Sequence, residues 1–528
     1  MLEKIKNNKS LLLIILCFLI FIISFLIHYY PVYKKGYPPS ISAETMILAR
    51  NLALTGEYKS QDKIGTVLAS GLIKEKGDDS IAYNKLTAVF YSYIFKLFGF
   101  NQNLPLFICL ILFSLSSVIL FILTFKLFNL KIALLQALVF NLLPIISYSS
   151  VYFGSYELGI FFFSLGLLFY FWTTKENNKY IFLLIASIFF TIASIARSAF
   201  LLSFALIILY EFFKNRNFKR IIIFLFPLII GWLIYLVPDY LHNRVNSYIS
   251  GSQQRFGLYG HLFPDPYTYY FDKDNFLNKL VPNGPNDLEF LTKLGRPIGL
   301  INQFKMYFAS ATFYPWEIMK IAILGGPLII LLMFYGFRYL WHDKKDLAKF
   351  ILLWFSGLYI LLIILKTNNW DHFLEISFPL SLLVSLGIFQ ITQFFKNNKL
   401  IKFWPIVFII FLIGHFIYAN QWMYHEEYSA SNIATIQKMT ACINSQSIGK
   451  EDVIAVNLHP EFPDHLNYFT NKNFVHFSLE TTEKLLNEEK LNQALEKYQV
   501  KWVIGYPVNL ENQIEENLKI NVIPCNYD

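Results

Sequence analysis

Apolar stretches near twenty residues long recur along this chain, and no other feature limits its fold as strongly. The first, LLLIILCFLIFIISFLI from residue 11, contains no charge. A helix of that length crosses a hydrocarbon core of about 30 Å, and in lipid only helices and closed barrels satisfy their own backbone. Spans are predicted at 11–30, 104–126, 131–148, 157–173, 180–195, 199–213, 219–237, 316–338, 348–365, 374–394 and 401–420. That is about eleven helices of spanning length. Charged residues make up 15% of the 528, against about 25% in soluble domains. The expected fold class is an α-helical polytopic membrane protein. The run at 11–27 is too long for a signal peptide and no small-residue cleavage site follows it, so it is read as a retained span.

The charges that remain are placed by topology. The net charge is +9, which would fit nucleic acid if it were clustered on a soluble face. Instead the basic residues alternate from loop to loop. One set of loops holds Lys126 and Lys131; Lys175 and Lys179; Lys214, Arg216, Lys219 and Arg220; Arg338, Lys344, Lys345 and Lys349; Lys396, Lys399 and Lys402. The short loops between them hold Arg197 or Lys366 alone, or no base at 149–156. Cytoplasmic loops carry the excess of Lys and Arg. The N-terminus, with Lys4, Lys6 and Lys9, is therefore expected in the cytoplasm of a plasma-membrane protein, and no nucleic-acid partner is implied. Three polar regions fall on the outer face: 31–103, 238–315 and 421–528.

The outer regions differ in character. Residues 38–58 predict a short helix, with Ser42 at its start, Glu44 in its first turn and Gly56 as its stop. Its apolar side suits a membrane surface, and 83–98 reads as a second amphipathic segment of that kind. The 238–315 loop groups Tyr240, Tyr267, Tyr269 and Tyr270 with Asp239, His242, Arg244 and Asp265, which fits a sugar or an interfacial aromatic belt equally. The tail holds short β-type runs at 453–458, 474–477 and 502–505 around a helical stretch at 481–498. That alternation predicts a small α/β extracytoplasmic domain with a mostly parallel sheet. The expected domains are thus 1–420, membrane-embedded with outer loops 31–103 and 238–315, and 421–528. No Gly-rich phosphate loop occurs in the tail, so no nucleotide cofactor is expected. Of four cysteines, Cys442 and Cys525 lie in the tail and form a candidate disulfide in an oxidising compartment.

Four places could carry chemistry. Glu44 and Glu157 each stand in the first turn of a helix at the outer membrane edge. A carboxylate there can act as a base, bind a substrate hydroxyl or share a divalent metal ion; it can also simply satisfy the helix dipole. Arg197, in SIARSAFLL between two spans, can grip a lipid phosphate or snorkel to headgroups. The loop KTNNWDHFLE carries Lys366 and His372, candidates for phosphate contact. His372 and Glu375, one turn apart, give two metal-ligand types without a third, and a solvated loop is the simpler reading.

Taken together, ARNLALTGEY after the first acidic helix, NKLTAVFYSYIFKLFGF, Glu157 opening a later span, ARSAFLL, and DHFLEISFPL before the penultimate span resemble a known family. The chain resembles the GT-C membrane glycosyltransferases, in the group of the dolichyl-phosphate-mannose protein mannosyltransferases and the lipid A aminoarabinose transferase. The resemblance covers most of the chain as architecture, on short motifs. It implies a GT-C-like bundle that takes a sugar from a polyprenyl-phosphate carrier and passes it to a lipid, glycan or protein acceptor outside the membrane. It also implies a divalent metal, for which Glu44 and Glu157 are the candidate ligands. The family places its first acid before the amphipathic helix. Here Ile41 and Ser42 stand at those positions, and the acid is Glu44, about one turn later.

The chemistry fits without the resemblance. A polyprenyl phosphate leaves readily, so the demanding steps are removing the acceptor proton and stabilising phosphate charge. Two other classes compete. A polysaccharide polymerase or ligase would share the donor but would not need the α/β tail. A transporter would place ionisable groups or broken helices near the bilayer midplane.

Overall fold

The computed structural model describes residues 9–35, 43–56, 64–68, 71–76, 85–150, 156–172, 179–215, 218–241, 311, 327–364, 370–394, 404–426, 430–449, 452–457, 462–477, 479–487, 489–518 and 520–524. In chain order these form α1 (Lys9–Lys35), α2 (Ala43–Leu54), β1 (Ile64–Leu68), β2 (Gly71–Lys76), α3 (Lys85–Phe98), α4 (Leu104–Leu127), α5 (Leu130–Leu142), α6 (Pro144–Ser149), α7 (Tyr156–Trp172), α8 (Lys179–Ala196), α9 (Ala199–Asn215) and α10 (Phe218–Leu241). Then follow α11 (Pro327–Asp343), α12 (Lys345–Ile364), a 3-10 helix (Trp370–Ile376), α13 (Ser377–Phe394), α14 (Trp404–Glu426), α15 (Ala430–Ser445), β3 (Val453–Val456), α16 (Phe462–Thr470), β4 (Asn473–Phe477), α17 (Leu479–Asn487), α18 (Leu491–Lys497), β5 (Val500–Ile504), α19 (Val508–Leu518) and β6 (Asn521–Val522).

Every predicted span overlaps a helix. Among the described residues, five helices are long and apolar enough to cross a membrane: Ser10–Tyr30, Leu104–Leu127, Phe218–Leu236, Lys345–Ile364 and Phe373–Phe394. The predicted span 131–148 is broken in two. Pro144 disfavours helix at the residue before it, and Leu143 is extended at ψ 123. Most of the 238–315 loop, including Tyr267, Tyr269, Tyr270 and Asp265, lies outside the described residues.

The chain divides into two compact units. The first comprises Met1–His28, Leu112–Ser149 and Gly159–Trp422. It is a helix bundle that carries a hydrogen-bonded polar network among its helices. Ser24 Oγ donates to Asn141 Oδ1 at 2.6 Å, His28 Nε2 lies 3.0 Å from the same atom, and Asn141 Nδ2 donates to Ser117 Oγ at 2.8 Å. Two glycines let α11 and α13 approach closely. A Cβ at Gly336 would stand 1.9 Å from Leu383 O, and one at Gly387 2.0 Å from Leu332 O, so any side chain would force the backbones apart.

The second unit comprises Tyr29–Ile111, Ser150–Leu158 and Met423–Asp528. Its centre is a six-stranded sheet in the order β2-β1-β4-β3-β5-β6. All pairs are parallel except β1 with β2. Residues 421–528, expected to form a domain alone, therefore share their sheet with a hairpin from the 31–103 loop. The sheet is covered on both faces. Val453, Ala455, Val475 and Phe477 pack with Leu485, Leu491, Leu495 and Ile514, whereas Ile454, Val456 and Phe474 pack with Ile436, Met439, Ile443 and Leu466. Successive strand residues point to opposite faces, which is why VIAV is an unbroken apolar run. The helix expected at 481–498 is two helices, α17 and α18, because Glu489 between them takes a φ of 56°.

Candidate active site

Within the second unit, α2 is not a helix lying open on a membrane. Residues 45–50 are all buried, and it packs against α3 and α16. A run such as MILA buries equally well in protein or in lipid, so the sequence pattern could not separate the two. The stop at Gly56 is as expected, with φ +76°. Glu44 lies in the first turn of α2; its side chain, and Ser42, lie outside the described residues.

The α3 helix presents Thr87, Ala88, Tyr91, Ser92 and Phe95 inward, at the spacing of one helical face. Val89, Tyr93, Leu97 and Phe98 are exposed, and suit the apolar surface expected of this segment. On the inward face the Tyr91 hydroxyl donates to Glu157 Oε1 at 2.6 Å. Glu157 opens α7 as expected, but it is fully buried, so it is a carboxylate enclosed by protein. Tyr91 escaped the sequence reading; its place on the inward face of a period-3.6 pattern was the available signal.

Arg50 of α2 is a second residue that the sequence analysis did not single out. It is 2% exposed. Its Nη1 donates to Asn467 O at 3.1 Å and its Nη2 to Asn467 Oδ1 at 3.1 Å. Its guanidinium also lies 5.8 Å from the centre of the Phe100 ring. Burial pulls its pKa down to about 10, which leaves it charged at neutral pH. Asn467 Nδ2 in turn donates to Lys472 O, and Tyr468 Oη donates to Gln102 O at 3.0 Å. Burial raises the Tyr468 hydroxyl above its ordinary value.

In the first unit, Arg197 sits between α8 and α9. Its Nε donates to Glu375 Oε1 at 3.3 Å, with the arginine side chain 14% exposed and the glutamate 0%. The segment DHFLE is thus not a solvated loop. It is a 3-10 helix running into α13, with residues 373–380 buried. Three residues per turn stack positions 372 and 375 on one side. The His372 side chain and Lys366 lie outside the described residues. Another buried pair, unanticipated, ties α9 to α10: Arg220 Nε donates to Glu211 Oε2 at 2.8 Å and the Tyr170 hydroxyl to Glu211 Oε1 at 2.7 Å.

Among the described residues, no group of three or more His, Cys, Asp or Glu could hold a metal ion. Glu157, expected to share a metal with Glu44, accepts the Tyr91 hydroxyl on Oε1, and the Glu44 side chain lies outside the described residues. Cys17 and Cys109 are free thiols, while Cys442 is disulfide-bonded. Cys525 lies outside the described residues; Cys442 Sγ is 3.5 Å from the carbonyl oxygen of Pro524, the residue before it.

No protein-family model matches this chain, and no curated protein does. Solved structures do. The chain is similar to ArnT from Cupriavidus metallidurans bound to undecaprenyl phosphate, at 10% identity and a TM-score of 0.52, over 90% of this chain and 88% of that one. It is similar to the Archaeoglobus fulgidus oligosaccharyltransferase in complex with Zn and sulfate, at 11% identity and a TM-score of 0.55, over 92% of this chain and 67% of that one. The archaeal enzyme has also been solved with an inhibitory peptide and a dolichol-phosphate, at a TM-score of 0.51. At these identities the likeness is one of fold: this is a mostly helical, polytopic membrane protein with the architecture those structures share.

Proposed function

We propose that the protein is a membrane glycosyltransferase that moves a sugar from a polyprenyl-phosphate carrier to a lipid, glycan or protein acceptor on the outer face of the membrane. The observation that carries this is the fold likeness, spanning nearly the whole of both chains, to an enzyme solved with undecaprenyl phosphate. In this reading Glu44 takes the acceptor proton as the acceptor oxygen attacks the anomeric carbon. The bond from that carbon to the phosphate oxygen breaks with inversion, and the polyprenyl phosphate leaves with its charge held by cations. Arg197 is the proposed phosphate contact, with Lys366 and His372 beside it in role. Glu157, held by Tyr91, positions the acceptor side of the reaction. Zinc belongs to the archaeal neighbour's structure. Cys442 is proposed to pair with Cys525, which suits an oxidising outer compartment.

Mass spectrometry of surface lipids, glycans and proteins from a deletion strain tests the function. The expected result is one glycoconjugate lacking one sugar while a polyprenyl-phosphate sugar accumulates. Altered polymer length would favour a polymerase or ligase, and unchanged glycoconjugates would remove the glycosyltransferase reading.

The proposed orientation places the N-terminus inside and the C-terminus outside. The basic helix ends of the first unit support it, since their lysines rest on aromatic rings as at a headgroup boundary. Lys126 lies over Trp172, Lys219 over Tyr180, Lys344 over Phe128 and Lys345 over Trp341. Reporter fusions after Lys175 and after Asp528 are expected in opposite compartments; a shared compartment would overturn the orientation.

A further inference from the structure

We propose that Arg50 is a positioning residue, through which the α/β sheet sets the place of the helix that carries Glu44. The inference rests on the reading of Glu44 as the base. Its chain of contacts lies wholly in the second unit. Leu466 of α16 is part of the core on one face of the sheet. The next residue, Asn467, receives both terminal nitrogens of Arg50, one on its carbonyl and one on its side chain. Asn467 is itself held, since its amide donates to Lys472 O just before β4. Phe100 stands beside the guanidinium and packs edge-on against Tyr468 of α16, with ring centres 5.9 Å apart.

A guanidinium buried to 2% exposure is an expensive way to attach a helix whose neighbouring residues 46–49 already bury apolar surface. Apolar packing resists displacement but carries no directional bond that fixes one register. A planar fork bonded to two acceptors of one residue adds that directional constraint. Glu44 lies six residues before Arg50, about 9 Å along the helix axis. A small shift at the clamp therefore reaches the carboxylate nearly undiminished, and catalysis is sensitive to displacements of about 1 Å. On this reading the α/β tail of the chain is the mount of the acidic helix.

The test is complementation of the deletion strain, reading formation of the glycoconjugate whose loss that strain reveals, normalised to protein in the membrane. Arg50→Lys keeps the charge but not the fork, and Asn467→Ala removes one acceptor; the second variant serves if the first fails to insert. Each is expected to slow product formation about 10- to 100-fold. Each should leave unchanged the thermal stabilisation of the full-length protein by added undecaprenyl phosphate. In a Glu44→Gln background neither should slow the reaction further, since the group being positioned is already gone. Equal losses in both backgrounds would make Arg50 a merely structural tie and overturn the proposal. Full activity of Glu44→Gln alone would instead remove the reading of Glu44 on which it rests.

Discussion

Glu44→Gln is expected to slow turnover about 10²- to 10⁴-fold, the range that general base catalysis supplies, while the protein still inserts and folds. The amide occupies the same volume and keeps an acceptor oxygen, but it cannot take a proton. Glu44 stands in the first turn of α2, a helix enclosed on its following six residues by protein. Its backbone is therefore held, and a loss on substitution would report on the carboxylate. Glu157→Gln is expected to lose less. Glutamine still accepts the Tyr91 hydroxyl, now 2.6 Å from Glu157 Oε1, so the contact survives while the charge does not. Tyr91→Phe is the matching control, because it removes the donor and keeps the ring. Initial rates in membranes of the complemented deletion strain decide the assignment. Near-normal turnover in Glu44→Gln with none in Glu157→Gln would give the base to Glu157. Activity in both would leave the proposed mechanism without a base.

The spans were legible because length and apolarity are local properties, and lipid demands both at once. The parallel sheet of the tail was legible for a similar reason: VIAV and FVHF are short runs set between helical stretches. The hairpin of β1 and β2 was not. IGTVL and GLIKEK are short runs interrupted by glycines and, in the second, by charges, and their place depends on pairing between Thr66 and His476, far apart in sequence. The same limit hid the partners within the candidate site. Arg50 and Asn467 are 417 positions apart, and Tyr91 and Glu157 are 66 apart. A lone charge in an apolar helix shows that something must satisfy it, not what does. The surface placement of α2 and the solvated reading of DHFLE went wrong for one physical reason. An apolar residue does not declare whether lipid or protein will cover it, and an acid beside such residues is read as exposed until its cation is known.

Arg197→Ala is expected to abolish stabilisation of the full-length protein by undecaprenyl phosphate and to cut turnover at least about 10²-fold, as losing a charge-assisted contact does. The Glu375 pair complicates that experiment in a useful way. Glu375 is fully buried, and removing the arginine leaves its carboxylate without that cation, a change that destabilises buried pairs strongly. A loss in Arg197→Ala alone would therefore not separate phosphate binding from folding. Glu375→Gln separates them. It keeps an oxygen that can accept from Arg197 Nε while removing the competing negative charge. If Arg197 meets the donor phosphate, Glu375→Gln should retain the undecaprenyl phosphate response, and Arg197→Lys should restore part of it, since lysine brings charge without the planar fork. If Arg197 serves only to neutralise Glu375, the double variant Arg197→Met with Glu375→Leu should be as active as the parent, because both charges leave together. An active double variant with an intact undecaprenyl phosphate response would take Arg197 out of the phosphate site. A stable but unresponsive one would leave it there, with Glu375 as the carboxylate that orients the guanidinium.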